Sequence, residues 1–389
     1  MEERVDVHFD YRVCFTERVF TSDNPLLRSM LCEVPGESDA AIRRRRAWAV
    51  VDRGVMEAWP DLPHAMETYF VAHGDRLELI APPMVVPGGE AAKNDETTFR
   101  AILRQIHELR IDRHSYVLAI GGGAVLDVVG YAAAVAHRGV RLIRFPTTVL
   151  GQADSGVGVK NGINAFGKKN FLGTFAPPHG VLCDVEFLTT LSPRDRVAGM
   201  AEAVKVALVR DTAFFSWMRE HGAALGAGDS AALVELVRRS AELHLRHIAT
   251  SGDPFEKGSA RPLDFGHWAA HKLESLTGYR LRHGEAVAIG MALDTLYSVH
   301  VGLAPPGLAE TVLALLEQLG FSLWDEALSM VGPDGRLRVF EGLAEFREHL
   351  GGDLCVTLLR GPGDGVEVHE ISEEGMLASL DRLRTRARR

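Results

Sequence analysis

The residues with the clearest capacity for chemistry lie between Leu263 and Gly290, in LDFGHWAAHKLESLTGYRLRHGEAVAIG. His267 and His271 are four apart, a spacing that on a helix stacks both imidazoles on one face. His283 follows a Gly-Tyr turn signal and opens a second helical run, GEAVAIGMALDTLYSVH, so two adjacent helices can bring the three imidazoles to one point. Glu202, in GMAEAVKVALV, offers a carboxylate. Two imidazole nitrogens and one carboxylate oxygen make a divalent-metal site with a position left for a substrate oxygen. Histidine pairs four apart are also common on solvated helices, but a solvated helix rarely has Gly266 directly before the pair and an apolar run directly after His283. HWAAH lacks the glutamate of HExxH, so metal-dependent peptide hydrolysis does not follow.

These side chains need a frame. Glu202 and Lys205 are three apart on one face of an otherwise apolar helix, where a solvated ion pair is the plain alternative. Further upstream the strand YVLAI runs into Gly121, Gly122 and Gly123, and then into the helical stretch AVLDVVGYAAAVAH. Strand, glycine cluster and helix N-terminus form an anion cradle, since free amides point outward and glycine lets a pyrophosphate approach. The cluster is not a GxGxxG, and a tight turn accounts for it equally well on its own. The strand VRLIRFP leads to Thr147 and Thr148 and then to GQADSGVGVKNGINAFGKKNFLG, which reads as a glycine-rich substrate loop carrying Asp154, Lys160, Lys168, Lys169 and Asn170. The apolar strand AWAVV ends at Asp52, an acid placed either to bond a ribose hydroxyl or to cap the next turn.

A chain of 389 residues exceeds what one core usually organises, so two domains are expected. With 46% hydrophobic and 24% charged residues its composition is that of a soluble globular protein. The net charge of −9 argues against general binding to nucleic acid or a membrane surface, while leaving room for a local basic phosphate pocket. No apolar stretch reaches membrane-spanning length, and the charged N-terminus MEERVDVHFDYRV lacks a signal-peptide core, so a cytoplasmic location is expected. Cys14, Cys32, Cys183 and Cys355 are scattered without a CxxC and are read as packing residues. Residues 6–34 suit an antiparallel pair of strands, VHFDYRVCF and RVFTSD, and Arg43 to Arg46 a solvated lead-in. Then come a proline-interrupted helix in MEAWPDLPHAMETYF, one strand over RLELIAPPMVV, the loop PGGEAAKND and the amphipathic helix ETTFRAILRQIHELRID. Past His283 the pattern is a buried helix, a helix after Pro305-Pro306, and a closing helix, strand, return strand and helix.

Taken together, GGGAVLD, RGVRLIRFPTTVLGQADSGVGVKNGIN, GKKNFLGTF, AEAVK, GHWAAHKLE and HGEAVAIG resemble the sugar phosphate cyclases typified by 3-dehydroquinate synthase, over about Asp52 to Gly290. The resemblance implies an α/β N-terminal NAD-binding domain, here 1–188, and a mainly α-helical, metal-binding C-terminal domain, here 189–389. It also implies an active site in the cleft between them, and usually a homodimer. It implies Glu202, His267 and His283 as zinc ligands, with cobalt as a possible replacement. Lys160, Lys205, Asp154 and Asn170 match substrate-lining positions, and Lys169 falls in the same loop. His271 and Arg138 match phosphate-handling ones. Asp52, Glu90, Lys93, Gly122, Gly123, Asp127, Thr147 and Thr148 match nucleotide contacts, Glu90 and Lys93 through the likeness of PGGEAAK to the family's GExxK. The implied chemistry is a transient NAD-dependent oxidation, elimination of phosphate, reduction by the same cofactor, and intramolecular aldol closure to a carbocycle. The departing phosphate can itself serve as base.

The departures bear on the substrate. The dehydroquinate branch has asparagine where this chain has Asp264, and an arginine about four residues earlier, where this chain has Ala260 with Arg261 shifted by one. Losing that partner of a substrate carboxylate and adding an acid disfavours an acidic substrate. An aspartate here resembles the sedoheptulose 7-phosphate cyclases, among which the motifs are most like the 2-epi-valiolone synthase group. 2-epi-5-epi-Valiolone synthase, 3-dehydroquinate synthase and a metal-dependent alcohol dehydrogenase of the glycerol dehydrogenase type are the alternatives. The last would release NADH in proportion to substrate; a cyclase would not.

Overall fold

The structure, a computed structural model, describes residues 3, 7–33, 44–94, 96–166, 168–250, 262–349 and 354–388. The chain divides into two compact units, Met1–Leu191 and Ser192–Arg389. The boundary expected at 188/189 falls in the short 3-10 turn Val185–Thr190 that ends the first of them.

The first unit is built on a parallel sheet. In chain order its elements are β1 (Arg12–Thr16), α1 (Leu26–Cys32), β2 (Arg45–Asp52), α2 (Arg53–Ala58), α3 (Leu62–Ala72), β3 (Leu77–Leu79), β4 (Met84–Val86), α4 (Glu96–Glu108), β5 (Tyr116–Gly121), α5 (Gly123–Val135), β6 (Arg141–Pro146), β7 (Lys160–Ala165), β8 (Lys168–Phe175) and β9 (Gly180–Asp184). The sheet order is β1-β9-β6-β5-β2-β3, with β4 also on β2, and every pairing in it is parallel. Every residue of β5 is buried, because helices cover both faces of a parallel sheet. Alternation then divides the core. Ala47, Ala49, Val51, Leu118 and Ile120 join Leu27, Met66 and Phe70 of α1 and α3; Trp48, Val50, Val117 and Ala119 join Ile102, Ile106, Val125 and Val129 of α4 and α5.

Four local expectations are corrected. The N-terminal segment is not an antiparallel pair: β1 runs parallel to β9, and residues 17–24 turn because the Asp184 carboxylate accepts the amides of Arg18 (3.2 Å) and Val19 (2.7 Å). Arg45 is buried as the first residue of β2 instead of being a solvated lead-in. The single strand expected over RLELIAPPMVV is two, β3 and β4, on successive halves of β2, as Pro82-Pro83 cannot continue a ladder. The expected glycine-rich loop is a one-turn π-helix, Gly151–Ser155, followed by the antiparallel hairpin β7–β8, whose Ile163 and Leu172 pack into the core beneath α5. Other expectations hold: the proline-interrupted helix is split into α2 and α3, and among the described residues no disulfide involves Cys14, Cys32, Cys183 or Cys355.

The second unit comprises α6 (Pro193–Arg210), α7 (Thr212–Ala227), α8 (Ser230–Thr250), α9 (His267–Leu276), α10 (His283–His300), α11 (Gly307–Gln318), α12 (Glu341–His349), the hairpin β10 (Val356–Gly361) and β11 (Asp364–Val368), and α13 (Glu373–Ala387). Its axis is α10, in which nearly every residue from Ala286 to Ser298 is buried. A helix apolar on all sides must be surrounded, and α6, α9, α11, α13 and β10 enclose it. Among the described residues no helix is long and apolar enough to cross a membrane.

Candidate functional site

In the second unit three helices deliver one cluster. α6 starts at Ser192, whose hydroxyl caps Asp195 N, and carries Glu202 and Lys205 on its buried middle turns. His267 is the first residue of α9 and His283 the first of α10. One ligand atom from each of Glu202, His267 and His283 can be chosen so that all lie within 4.8 Å of one another. His267 Nε2 is 3.6 Å, and His283 Nε2 3.5 Å, from Glu202 Oε1. Those separations are long for hydrogen bonds but match the roughly 3.4 Å between two ligands on a tetrahedral metal with bonds of about 2.1 Å.

The far side of each ring is engaged. His267 Nδ1 donates to the Phe265 carbonyl at 3.2 Å; a carbonyl only accepts, so Nε2 presents its lone pair toward Glu202. His283 Nδ1 stands 3.2 Å from Glu274 Oε2. Outer partners of this kind fix the tautomer and orientation of ligating histidines. Neither buried oxygen of Glu202 has a hydrogen bond of normal geometry, although the Lys205 ammonium lies in ion-pair contact with Oε2. A buried carboxylate so poorly satisfied, faced by two imidazole lone pairs, fits a divalent cation. Burial pushes Glu202 up, but the Lys205 charge and then the two histidines outweigh it and hold the carboxyl well below its usual range. Burial first, and the Lys205 charge second, hold His267 well below the ordinary imidazole range, so it is neutral. Both are the forms that bind metal.

His271 sits exposed on the rim, its ring centroid 5.4 Å from that of His267 and 6.2 Å from that of His283. With Glu274 and His283 it forms a second group with metal-ligand spacing that shares one histidine. Asp264 closes the 3-10 turn Pro262–Asp264, partly exposed, and that turn packs on α6 and the β10–β11 hairpin. Ala260 and Arg261 lie outside the described residues.

In the first unit the candidates gather where the parallel strands end. Asp52 ends β2, Gly121 ends β5 and leads to Gly122 and Gly123 at the start of α5, and Thr147 and Thr148 follow β6. Asp52 caps α2 by accepting Gly54 N at 2.8 Å; burial raises its pKa, with amides of Gly54, Gly122 and Val55 opposing. No side chain caps α5, so its first amides are free for an anion. Beside this cradle Lys93, 2% exposed, pairs with Asp127 at 2.6 Å and contacts the Asn170 side-chain oxygen. Lys169 pairs with Glu90 at 3.3 Å, and burial, which would raise the Glu90 carboxyl, is outweighed by Lys169 and Lys93. Residues expected at nucleotide and at substrate thus share one polar network. Asp154 lies half-buried in the π-turn and Lys160 opens β7 with an exposed side chain. Arg138 is set apart from this group: it is exposed beyond the C-terminal end of α5, whose 13 residues span roughly 20 Å from the cradle.

Three contributors lie outside the residues expected from the sequence. Glu274 is seven residues after His267, on the face defined by His267 and His271, so its helical spacing was a usable signal. Asn164 binds Asn170 N at 2.8 Å and the Glu90 carboxylate at 3.0 Å, a link between distant segments that no local pattern announces. Arg144, with no exposed surface, ties the Gly156, Gly158 and Lys160 carbonyls together and so shapes the approach to Lys160.

Residues 83–198 match the family described as 3-dehydroquinate synthase N-terminal, and residues 199–333 that described as 3-dehydroquinate synthase C-terminal. The 3-dehydroquinate synthase of Ruegeria sp. (strain TM1040) is 36% identical over 347 residues, covering 89% of this chain and 90% of that protein. A solved 2-epi-5-epi-valiolone synthase from Streptomyces hygroscopicus subsp. jinggangensis 5008, with NAD+ and Zn2+ bound, is 30% identical with a TM-score of 0.83, covering 99% of this chain and 100% of that one. A 2-deoxy-scyllo-inosose synthase complexed with carbaglucose-6-phosphate, NAD+ and Co2+ shares the fold at a TM-score of 0.74 and 24% identity, covering 96% of each chain. The chain belongs to the 3-dehydroquinate synthase family of sugar phosphate cyclases, as its succession of motifs implied.

Proposed function

We propose that the protein converts sedoheptulose 7-phosphate into a seven-carbon cyclitol, 2-epi-valiolone being the favoured product, with release of inorganic phosphate and no net turnover of NAD. Its cofactors on this reading are NAD, held by the first unit, and zinc or cobalt on Glu202, His267 and His283; the family's homodimer is part of the same reading. The two solved relatives hold NAD+ with Zn2+ or with Co2+. When bound, NAD supplies reversible oxidation of a ring carbinol, and the metal supplies polarisation of the adjacent oxygens.

The rest falls to the chain's own residues. Gly122 and Gly123 allow close backbone approach, Gly123 offers its amide and Thr147 and Thr148 their hydroxyls to the nucleotide, while Lys93 neutralises Asp127 beside them. Lys205, buried with Glu202, keeps that carboxylate ionised and offers further N–H bonds to substrate oxygens. His271, Lys160, Lys169 and Asn170 are assigned to the sugar and the leaving phosphate, whose charge the cations offset; Arg138, set apart at the far end of α5, is left out of this assignment. Asp154 is assigned to a sugar hydroxyl.

The observation that carries the choice of substrate is Asp264. It lies in a turn packed on the same helix as Glu202 and Lys205, where an acid repels a carboxylate-bearing substrate and accepts hydrogen bonds from the hydroxyls of a neutral-headed ketose. A second reading, 3-dehydroquinate synthase itself, draws support from the names of the curated relatives. A glycerol-type dehydrogenase gives Lys205 no task. The deciding assay incubates the protein with NAD and zinc, offering sedoheptulose 7-phosphate and the seven-carbon acid phosphate of dehydroquinate synthases separately, and measures phosphate release, product mass and NADH. Phosphate from the ketose alone, with a C7 cyclitol and no net NADH, is expected; release from the acid phosphate alone would overturn the reading in favour of the second.

A further inference from the structure

We propose that Asp294, on α10, is a positioning residue for the metal centre, setting the place and orientation of His267 by anchoring the residues on either side of it. The inference rests on the reading of Glu202, His267 and His283 as metal ligands, and it concerns a residue outside that set.

Asp294 is fully buried and carries a carboxylate where an apolar helix would ordinarily place an apolar side chain. Its Oδ2 accepts the Gly266 amide at 2.9 Å and its Oδ1 accepts the Trp268 indole N–H at 2.8 Å. Residues 266 and 268 flank His267. One carboxylate thus holds the chain before and after the ligand, and Trp268 is itself only 1% exposed. The held turn also governs the ring, because His267 Nδ1 bonds the Phe265 carbonyl one residue before Gly266. Gly266 has φ +78, and its backbone lies so close to α10 that a Cβ built on Gly290 would stand 2.0 Å from the Gly266 carbonyl oxygen. That close approach strips the Gly266 amide of water, and Asp294 supplies the acceptor that the buried amide needs. Because Asp294 is eleven residues, about three turns, beyond His283 on the same helix, the carboxylate registers α9 against the helix that presents the second imidazole. Replacing it by asparagine keeps the shape but turns an amide N–H2 toward one of two donors, so one anchor is lost.

The test compares wild type, Asp294→Asn, Trp268→Phe and His267→Ala, each checked for a folded far-UV spectrum. Zinc affinity is measured by chelator competition, and ligand geometry by the visible absorption of the Co2+-loaded proteins. Asp294→Asn should weaken zinc by about 10–100-fold, the range for outer partners of ligating histidines, and alter the cobalt spectrum. Trp268→Phe, which removes a single donor, should weaken zinc by a smaller factor in the same direction, and it decides the matter if Asp294→Asn does not fold. Folded variants with wild-type zinc affinity and an unchanged cobalt spectrum would overturn the inference alone. A wild-type protein that takes up no zinc, or a His267→Ala protein that keeps it, would instead bring down the metal-centre reading and this inference with it.

Discussion

The two candidate regions are built on opposite plans. In the second unit, side chains from three helices converge with their outer atoms engaged and the two imidazole Nε2 atoms turned toward Glu202, whose buried oxygens have no hydrogen bond of normal geometry. At the strand ends of the first unit the polar side chains satisfy one another: Lys93 with Asp127, Lys169 with Glu90, and Asn164 with the Glu90 carboxylate. There the free groups are main-chain amides. The difference teaches where each ligand's binding energy resides. The helical cluster depends on particular ligating atoms, so it is sensitive to side-chain identity; the strand-end cradle depends on backbone approach, so it is sensitive to added volume.

Substitutions can break or sharpen that contrast, and the largest effect belongs to the ligands. His267→Ala should abolish stoichiometric metal and lower activity by at least about 10³-fold, several kcal/mol of lost charge stabilisation, while NAD binding persists; metal analysis and cofactor titration check both halves. Next is the pH dependence of the second unit. Burial pushes the Asp294 carboxyl up to about 7, against the opposing bonds from Trp268 and Gly266. The folded protein therefore holds a proton, between about pH 4 and 7, that the unfolded chain has released, and this contribution to stability is present below pH 4 and lost as pH rises through 7. The shift corresponds to at most about 4 kcal/mol. The stability advantage of wild type over Asp294→Asn should thus shrink from pH 5 to pH 8, as followed by urea midpoints; an advantage that grows would refute the assignment.

A smaller change is expected from Gly123→Val. A Cβ at that position would stand 2.6 Å from Ser155 Oγ, so NAD affinity should fall about tenfold, roughly 1.4 kcal/mol, with zinc content untouched. Asp264→Asn should shift the ratio of kcat/KM between ketose phosphate and acid phosphate by a similar factor without loss of metal, read by paired phosphate-release assays. The smallest effect should come from Arg386→Ala. Its ion pairs with Glu310 and Glu317, both at 2.6 Å, are solvent-accessible, so a thermal melt should register no more than about 1 kcal/mol.

Much of this organisation was legible in the sequence where local chemistry and tertiary structure agree. The four-residue spacing of His267 and His271, the turn before His283 and the uniformly apolar α10 each follow from helical period and burial. β5, α5 and the glycines between them follow from an apolar run meeting a turn. What escaped depends on distant partners. Residues 17–24 have the alternation of a strand, yet Asp184, more than 160 positions away, takes the Arg18 and Val19 amides. The β7–β8 hairpin was hidden because its glycines read as flexibility, whereas Ile163 and Leu172 bury it under α5. Asp294 gave no signal at all, since one acid in an apolar helix has no pattern; only the structure reveals the two donors that it meets.

The metal centre is tested most directly at the two poorly satisfied oxygens of Glu202. Its decisive measurement is the zinc stoichiometry and affinity of Glu202→Gln, a change that keeps shape and removes charge. Loss of tightly bound zinc, with the fold retained and NAD still bound by the first unit, is the predicted result. One zinc per chain at wild-type affinity would contradict it, showing that the buried carboxylate serves Lys205 alone and that the metal, if any, is held elsewhere.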